Sequence, residues 1–239
     1  LLILIPVFMS SSLRSTSAEL PIADTWARDS VYNQVQDQIK SQINQQYPNL
    51  PQSNKNNLIN TEFEKFQKEQ KAQLEAQVQA TANHFRSRLQ DENGQTYLLA
   101  IDPYFWMRHA KNVIDNGHPG DELRNKQGKE APYDTFMFAP VGRFVPRDAF
   151  HAYFEAFLFK FMRFFNKDIG LMTAAFYTPV LLISLSIIPI FFIGRRISGN
   201  FGGFIAAMIL AIHPALLTRT AGGFADTDAY NVLIPLIVT

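Results

Sequence analysis

The sequence contains no cysteine. That absence excludes disulfide staples, thiolate nucleophiles and Cys-ligated zinc, so any metal held by this chain sits on oxygen or imidazole. Clustered charge of one sign is missing too: 22 Lys and Arg stand against 21 Asp and Glu, a formal net charge of +1. Nucleic-acid binding depends on clustered Lys and Arg, so there is no electrostatic case for a nucleic-acid partner. Charge is also nearly absent from one end of the chain. The first part is rich in Gln, Asn, Lys and Glu, whereas Ile, Leu, Phe and Ala dominate from Ile169 onward. The 239 residues are therefore read as part soluble and part membrane.

The chain opens on LLILIPVFMS without an initiator Met or a positive n-region and stops at LIPLIVT inside an apolar run, so both ends read as cut and the chain as a piece of a longer protein. Residues 1–13 are apolar but shorter than the roughly 20 residues that a spanning helix needs. On the residues alone they are either the end of a signal peptide, with Thr16-Ser17-Ala18 as a small-x-small cleavage site, or a truncated first span. From Thr25, apolar residues at Trp26, Val31, Val35, Ile39 and Ile43 keep near-helical spacing; after YPNLPQSNKNN a second stripe runs through Phe63, Phe66, Leu74, Val78, Phe85 and Leu89. This predicts two amphipathic helices joined by a turn across 25–89, a packing or spacer element.

Residues 97–101 read as a short strand-like run, followed by Asp102 and Pro103 as cap and first turn of a helix that stops at Gly117. Arg108 and His109 on that helix read as surface polar residues. The stretch 118–146 carries Gly, Pro and mixed charge without periodicity and is predicted as loop. Residues 149–165, AFHAYFEAFLFKFMRFF, are aromatic but interrupted by His151, Glu155, Lys160 and Arg163. They predict an amphipathic helix at the membrane surface, with His151 and Glu155 at the headgroups.

An uncharged run of about 25 residues, 169–193, is long enough to cross a bilayer; a second covers 198–218 and a third begins near Tyr230. The loop GRRISGN between the first two holds Arg195 and Arg196, which places it in the cytoplasm by the positive-inside rule. Everything before Ile169, and the segment around Asp226, then lies outside. His213, beside Pro214, is either a pore or ligand residue or one hydrogen-bonded within the bundle.

This parity puts Asp102, Asp226 and Asp228 on the same external side. An Asp at the bilayer centre costs roughly 2.5–3.5 kcal/mol, so FADTDAYN belongs at the interface or in a protein-lined cavity, and Gly222-Gly223 lets the backbone leave the helix before the acids. Two carboxylates about 4 Å apart repel by about 4 kcal/mol at an effective dielectric of about 20. A cation must hold them: Arg219, or a divalent metal, for which oxygen ligands without cysteine point to Mg²⁺ or Mn²⁺. The bland alternative is that Asp102 merely caps one helix and Asp226 another; capping uses one carboxylate oxygen and is compatible with ligation.

The stretch LLTRTAGGFADTDAYNVLIPL strongly resembles the second acidic motif of oligosaccharyltransferase catalytic subunits, particularly the single-subunit archaeal and bacterial enzymes, and AIDPYFWMRHAKN resembles their first. The resemblance implies a mainly α fold, a multi-span helical membrane protein of GT-C type with a large helical first external loop. By it, residues 1–13 are the end of a first transmembrane helix. Residues 14–168 hold the first external loop, running from Arg14 to Arg147, with an inserted helical hairpin (25–89) and then an interfacial helix (149–165). Residues 169–239 are transmembrane helices 2, 3 and the start of 4. It implies that Asp102, Asp226 and Asp228 contribute to a Mn²⁺ or Mg²⁺ site and that Arg219 lies near the phosphate of the donor. The implied reaction moves an oligosaccharide from a dolichol- or polyprenol-phosphate type carrier to Asn in an Asn-x-Ser/Thr sequon of an acceptor polypeptide, at the external face of the cell membrane. The hairpin departs from the compact loop of the family. A further acid and a Trp-Trp-Asp domain, which the family carries downstream, are not in this sequence, so residues 1–239 alone are expected to be inactive. Two other readings are another GT-C enzyme such as a protein O-mannosyltransferase, and an ion-binding transporter or membrane scaffold.

Overall fold

The structure is a computed structural model that describes residues 2–146 and 149–239; Leu1, and Arg147 at the end of the expected loop, lie outside them. The chain divides into two compact units, one made of Leu20–Gly94 and the other of the residues up to Glu19 together with Gln95–Thr239.

Leu20–Gly94 is all helix and turn: α2 (Ile22–Gln46), α3 (Gln52–Glu69) and α4 (Lys71–Arg88). The periodic apolar residues become its core, with Ala27, Val31 and Val35 of α2 buried against Leu74, Val78 and Ala82 of α4, and Tyr32, Phe63, Phe66 and Phe85 packed around them. Three helices stand where two were expected. The second stripe is cut at Gln70, whose backbone (φ −115, ψ 27) leaves the helix. No Gly or Pro marks that position, so nothing in the local composition announces the break.

In the other unit, α1 (Leu4–Ser15) packs on the long apolar α7 (Leu171–Ile212). Helical geometry lapses inside α7 at Ser198 (φ −138, ψ 29) and Gly199 (φ 67, ψ −167), dividing it into arms 171–197 and 200–212. The arms fold back on one another. A Cβ added to Gly203 would lie 2.6 Å from the carbonyl oxygen of Phe191, a spacing that only a glycine allows. Ile187 and Phe191 of the first arm bury against Ala207 and Ala211 of the second, with Ile3 and Val7 packed on them. By length and composition α7 is the one helix among the described residues that is long and apolar enough to cross a membrane. At 1.5 Å per residue its first arm is about 40 Å long. After it come α8 (Pro214–Thr220) and α9 (Asp228–Val238).

Between α5 (Ile101–Asn116) and α6 (Phe150–Phe165) the expected loop holds a three-stranded antiparallel sheet, β1 (Glu122–Lys126), β2 (Lys129–Asp134) and β3 (Arg143–Phe144), in the order β1-β2-β3. Lys126 pairs with Lys129, so Gln127 and Gly128 form the two-residue turn; both take positive φ, 54 and 84, which suits a type I′ hairpin. β1 is exposed throughout and shows no apolar alternation, so periodicity could not reveal it. Its stabilisation is cross-strand: the Arg124 guanidinium sits 3.8 Å from the centre of the Tyr133 ring and Lys126 lies 4.8 Å from that of Phe144. Residues 97–101 form no strand; Ile101 already opens α5, and the backbone bond that Leu99 N makes matters for the site.

Candidate active site

The turn AGGF before the second acidic motif is held from three directions. Gly222 N donates to the carbonyl of Arg14 (2.8 Å), Gly223 N donates to that of Phe176 (2.9 Å), and Leu99 N donates to the carbonyl of Gly223 (3.0 Å). A Cβ on Gly222 would lie 2.5 Å from a ring carbon of Phe176, and Gly223 has φ +89, so both positions exclude larger residues. Arg14 locks the preceding helix. Fully buried, it donates from Nε to Thr220 Oγ1 and from Nη1 to Ser10 Oγ and the Ala211 carbonyl, each at 2.9 Å.

The Leu99 bond fixes the start of α5 beside this turn, and α5 carries Asp102 in its first turn. One turn later on the same face, about 6 Å away at Cβ by helix geometry, Trp106 donates its indole Nε1–H to Asp226 Oδ1 at 3.3 Å. That oxygen also accepts from Thr227 N at 2.6 Å. The first acidic helix and the second acidic motif thus meet through Trp106. Asp102 does not cap α5: the cap position is Ala100 and no side chain bonds there. The Asp102 carboxylate is exposed, with no hydrogen-bond partner among the described residues. Nor does Asp226 cap α9, whose cap residue is Thr227 without a side-chain bond. Neither acid is occupied by a helix end.

Asp228 opens α9, and its Oδ2 stands 3.9 Å from Arg219 Nε. With side chains 67% and 38% exposed, that pair is screened by water and weakly bound. Arg219 therefore remains available to a stronger anion. No three His, Asp or Glu side chains among the described residues form a ready-made cation cage. The donor chemistry nonetheless suits a hard divalent ion, since Asp102, Asp226 and Asp228 belong to one unit and offer carboxylate oxygens in a chain without thiolates.

The helix residues next to this site do other work than expected. Arg108 and His109 are not surface polar residues: both bind Asp134 of β2, Arg108 through both guanidinium branches and His109 through Nε2 at 2.8 Å. Their partner lies in a sheet that local periodicity hides. Asp134 is fully buried; burial raises its pKa, but the bonds from Arg108 and His109 outweigh this and hold the carboxyl at about 2. Burial, the largest effect on His109, keeps its imidazole below the usual range despite the Asp134 bond. An ionised carboxylate only accepts, so His109 Nε2 carries the proton. Asp134 also accepts from Phe136 N and Met137 N in the turn after β2, so one carboxylate joins that turn to Arg108 and His109 of α5.

His151 and Glu155 are likewise not at headgroups; both are buried on the inner face of α6. His151 Nδ1 is 3.0 Å from the Tyr230 hydroxyl, and its Nε2 is 3.3 Å from the Ala225 carbonyl and 3.2 Å from Glu155 Oε1. The Trp106 ring meets His151 edge-on at 5.4 Å. These residues escaped the sequence reading because two acid-base residues on an aromatic helix look the same whichever face is buried. Trp106 carried one usable signal, its four-residue spacing from Asp102. His213 is exposed at the break between α7 and α8.

Residues 72–239 match the family described as Oligosaccharyl transferase STT3, N-terminal. A dolichyl-phosphooligosaccharide-protein glycotransferase of Methanococcus voltae is 36% identical over 150 residues, covering 62% of this chain and 16% of that protein. One from Methanocaldococcus jannaschii is 37% identical over 162 residues, or 66% of this chain and 17% of its own length. The chain spans about a sixth of the length of these curated relatives. With the family match running through α5, the glycine turn and both acidic motifs, the chain belongs to the oligosaccharyl transferase STT3 family, a family of membrane proteins.

Proposed function

We propose that this chain is the N-terminal, membrane-embedded part of a GT-C type glycosyltransferase that moves an oligosaccharide from a dolichol- or polyprenol-phosphate type carrier, bearing one phosphate or two, to asparagine in Asn-x-Ser/Thr sequons. In this reading residues 1–13 end the first span, the arms of α7 and the start of α9 belong to further spans, Arg195 and Arg196 face the cytoplasm, and the acidic residues stand at the external face of the cell membrane. The helices of Leu20–Gly94 are an insertion in the first external loop.

The Trp106–Asp226 bond carries the reading, because it draws the helix of the first acidic motif to the second. The names of the relatives supply the donor class, a dolichyl-linked oligosaccharide, and the acceptor class, a protein. Asp102, Asp226 and Asp228 would hold Mn²⁺ or Mg²⁺, with the remaining ligands supplied from elsewhere in the longer protein. When bound, such an ion neutralises charge developing on the departing phosphate or pyrophosphate. The amide nitrogen of Asn is a poor nucleophile because its lone pair is delocalised. A carboxylate of this set that accepts its N–H bonds loosens that conjugation and orients attack on the anomeric carbon. Attack opposite the leaving group inverts that carbon. Arg219, loosely paired with Asp228 at the end of α8, would take the carrier phosphate.

The test is transfer from a lipid-linked oligosaccharide to an Asn-x-Thr peptide by the full-length protein. Asp102→Ala and Asp226→Ala are each expected to lower the rate at least about 100-fold, the scale of losing an electrostatic contact in the transition state. Parent-like rates in both variants would overturn the assignment.

A further inference from the structure

Directly behind the second acidic motif lies a polar cluster that the proposed chemistry does not use. Glu155 is fully buried, and among the described residues neither carboxyl oxygen has a hydrogen-bond partner; Oε1 has only a contact with His151 Nε2 at 3.2 Å. Its neighbours on the same helix face, Ala152 and Ala156, bury against Ala110 of α5. A face that had only to pack would take an apolar residue at 155, since burying an acid with a single partner costs stability.

The geometry of His151 shows what the cost supports. A carbonyl oxygen only accepts, so the bond to Ala225 requires the proton on Nε2, and Nδ1 then accepts from the Tyr230 hydroxyl. Ala225 immediately precedes Asp226, and Tyr230 follows Asp228 by two positions. One imidazole therefore grips the segment at both flanks of the acidic motif. Glu155 Oε1 faces the same Nε2 at 3.2 Å from one helical turn away, a position that favours the proton on that nitrogen, while Trp106, which donates to Asp226, rests edge-on against the ring.

We propose that His151 and Glu155 are positioning residues for the acidic motif: Glu155 orients His151, and His151 fixes the backbone that aims Asp226 and Asp228. The proposal rests on the glycosyltransferase reading above. Support of this kind behind a ligating or catalytic group is worth about 10–100-fold in affinity or activity.

The experiment compares Glu155→Leu, Glu155→Gln and His151→Leu in the full-length protein, with kcat and acceptor-peptide KM, thermal unfolding, and 19F NMR of 5-fluorotryptophan at Trp106, assigned by Trp106→Phe. Glu155→Leu fills the site with an apolar group and is expected to unfold no earlier than the parent, yet to lose about tenfold or more in kcat with KM within about twofold. Glu155→Gln keeps a polar oxygen facing Nε2–H and is expected to stay within about threefold of the parent. The Trp106 resonance moves in Glu155→Leu and His151→Leu and stays in Glu155→Gln. Parent-like kcat in Glu155→Leu, equal losses in the Leu and Gln variants, a fall in kcat only in step with the unfolding temperature, or an unmoved Trp106 signal would each overturn the proposal. Asp226→Ala in the same preparation separates the two readings. If it is active, the glycosyltransferase site is wrong; if it is inactive while Glu155→Leu and His151→Leu match the parent, only the positioning role is wrong.

Discussion

Trp106 and Asp226 lie 120 positions apart, and the indole Nε1–H of one donates to Oδ1 of the other at 3.3 Å. The bond places a neutral donor against an acid that, among the described residues, is otherwise met by Thr227 on the same oxygen, with no partner for Oδ2.

Trp106→Phe keeps an aromatic edge against His151 and removes the donor. A hydrogen bond to a charged acceptor contributes about 1.5 kcal/mol, so kcat for glycopeptide formation is expected to fall about tenfold with the protein folded. An unchanged kcat in steady-state assays would show that Asp226 is aimed without it.

The glycine turn yields a second expectation. Gly223→Ala meets both a positive φ of 89 and Phe176 ring carbon Cε2 at 2.9 Å, whereas Gly94→Ala at φ 76 meets nothing within 4 Å. The backbone cost alone is about 1 kcal/mol, so Gly94→Ala reports that cost and Gly223→Ala is expected to exceed it about twofold. Thermal unfolding of both variants checks this, and equal shifts would mean that the Phe176 contact relaxes freely.

Asp134 makes stability depend on acid. Its carboxyl titrates near 3.8 in the unfolded chain and about 2 when folded, so the contribution is complete above about pH 4 and is lost as pH falls toward 2. The difference corresponds to about 2 kcal/mol. His109 acts higher up: its folded value lies below 6.5, so the unfolded chain binds its proton first and stability also declines as pH falls below 6.5. Asp134→Asn is expected to be less stable near neutrality and to show a flatter acid limb between pH 4 and 2 in denaturant unfolding. A limb parallel to that of the parent would contradict this.

The residues of the proposed site were legible where their setting was anomalous. Asp226 and Asp228 stand out because acids follow a glycine pair in an otherwise uncharged stretch, and Arg195, Arg196 and Gly199 mark the reversal inside α7. The stripes of α2 and α4 were legible because their burial follows the helical period. The β1–β2 hairpin was not, since its strands are largely exposed and only the Gln127-Gly128 turn signals it. His151 was misjudged for a different reason. Its partners Ala225 and Tyr230 lie 74 and 79 positions away, and nothing local on α6 says which face turns inward. The same holds for Arg108 and His109, whose partner Asp134 sits on a strand that periodicity cannot reveal.

The central claim is that Asp102 and Asp226 serve one cation. Its most direct measurement is Mn²⁺ binding by EPR to the full-length protein as parent, Asp102→Asn, Asp226→Asn and the double variant. Ligands of a single ion act as a unit, so each single change is expected to weaken binding at least about tenfold, and the double variant to bind little worse than the weaker single one. Parent-like Mn²⁺ affinity in either single variant, or losses that add in full in the double variant, would contradict a shared site.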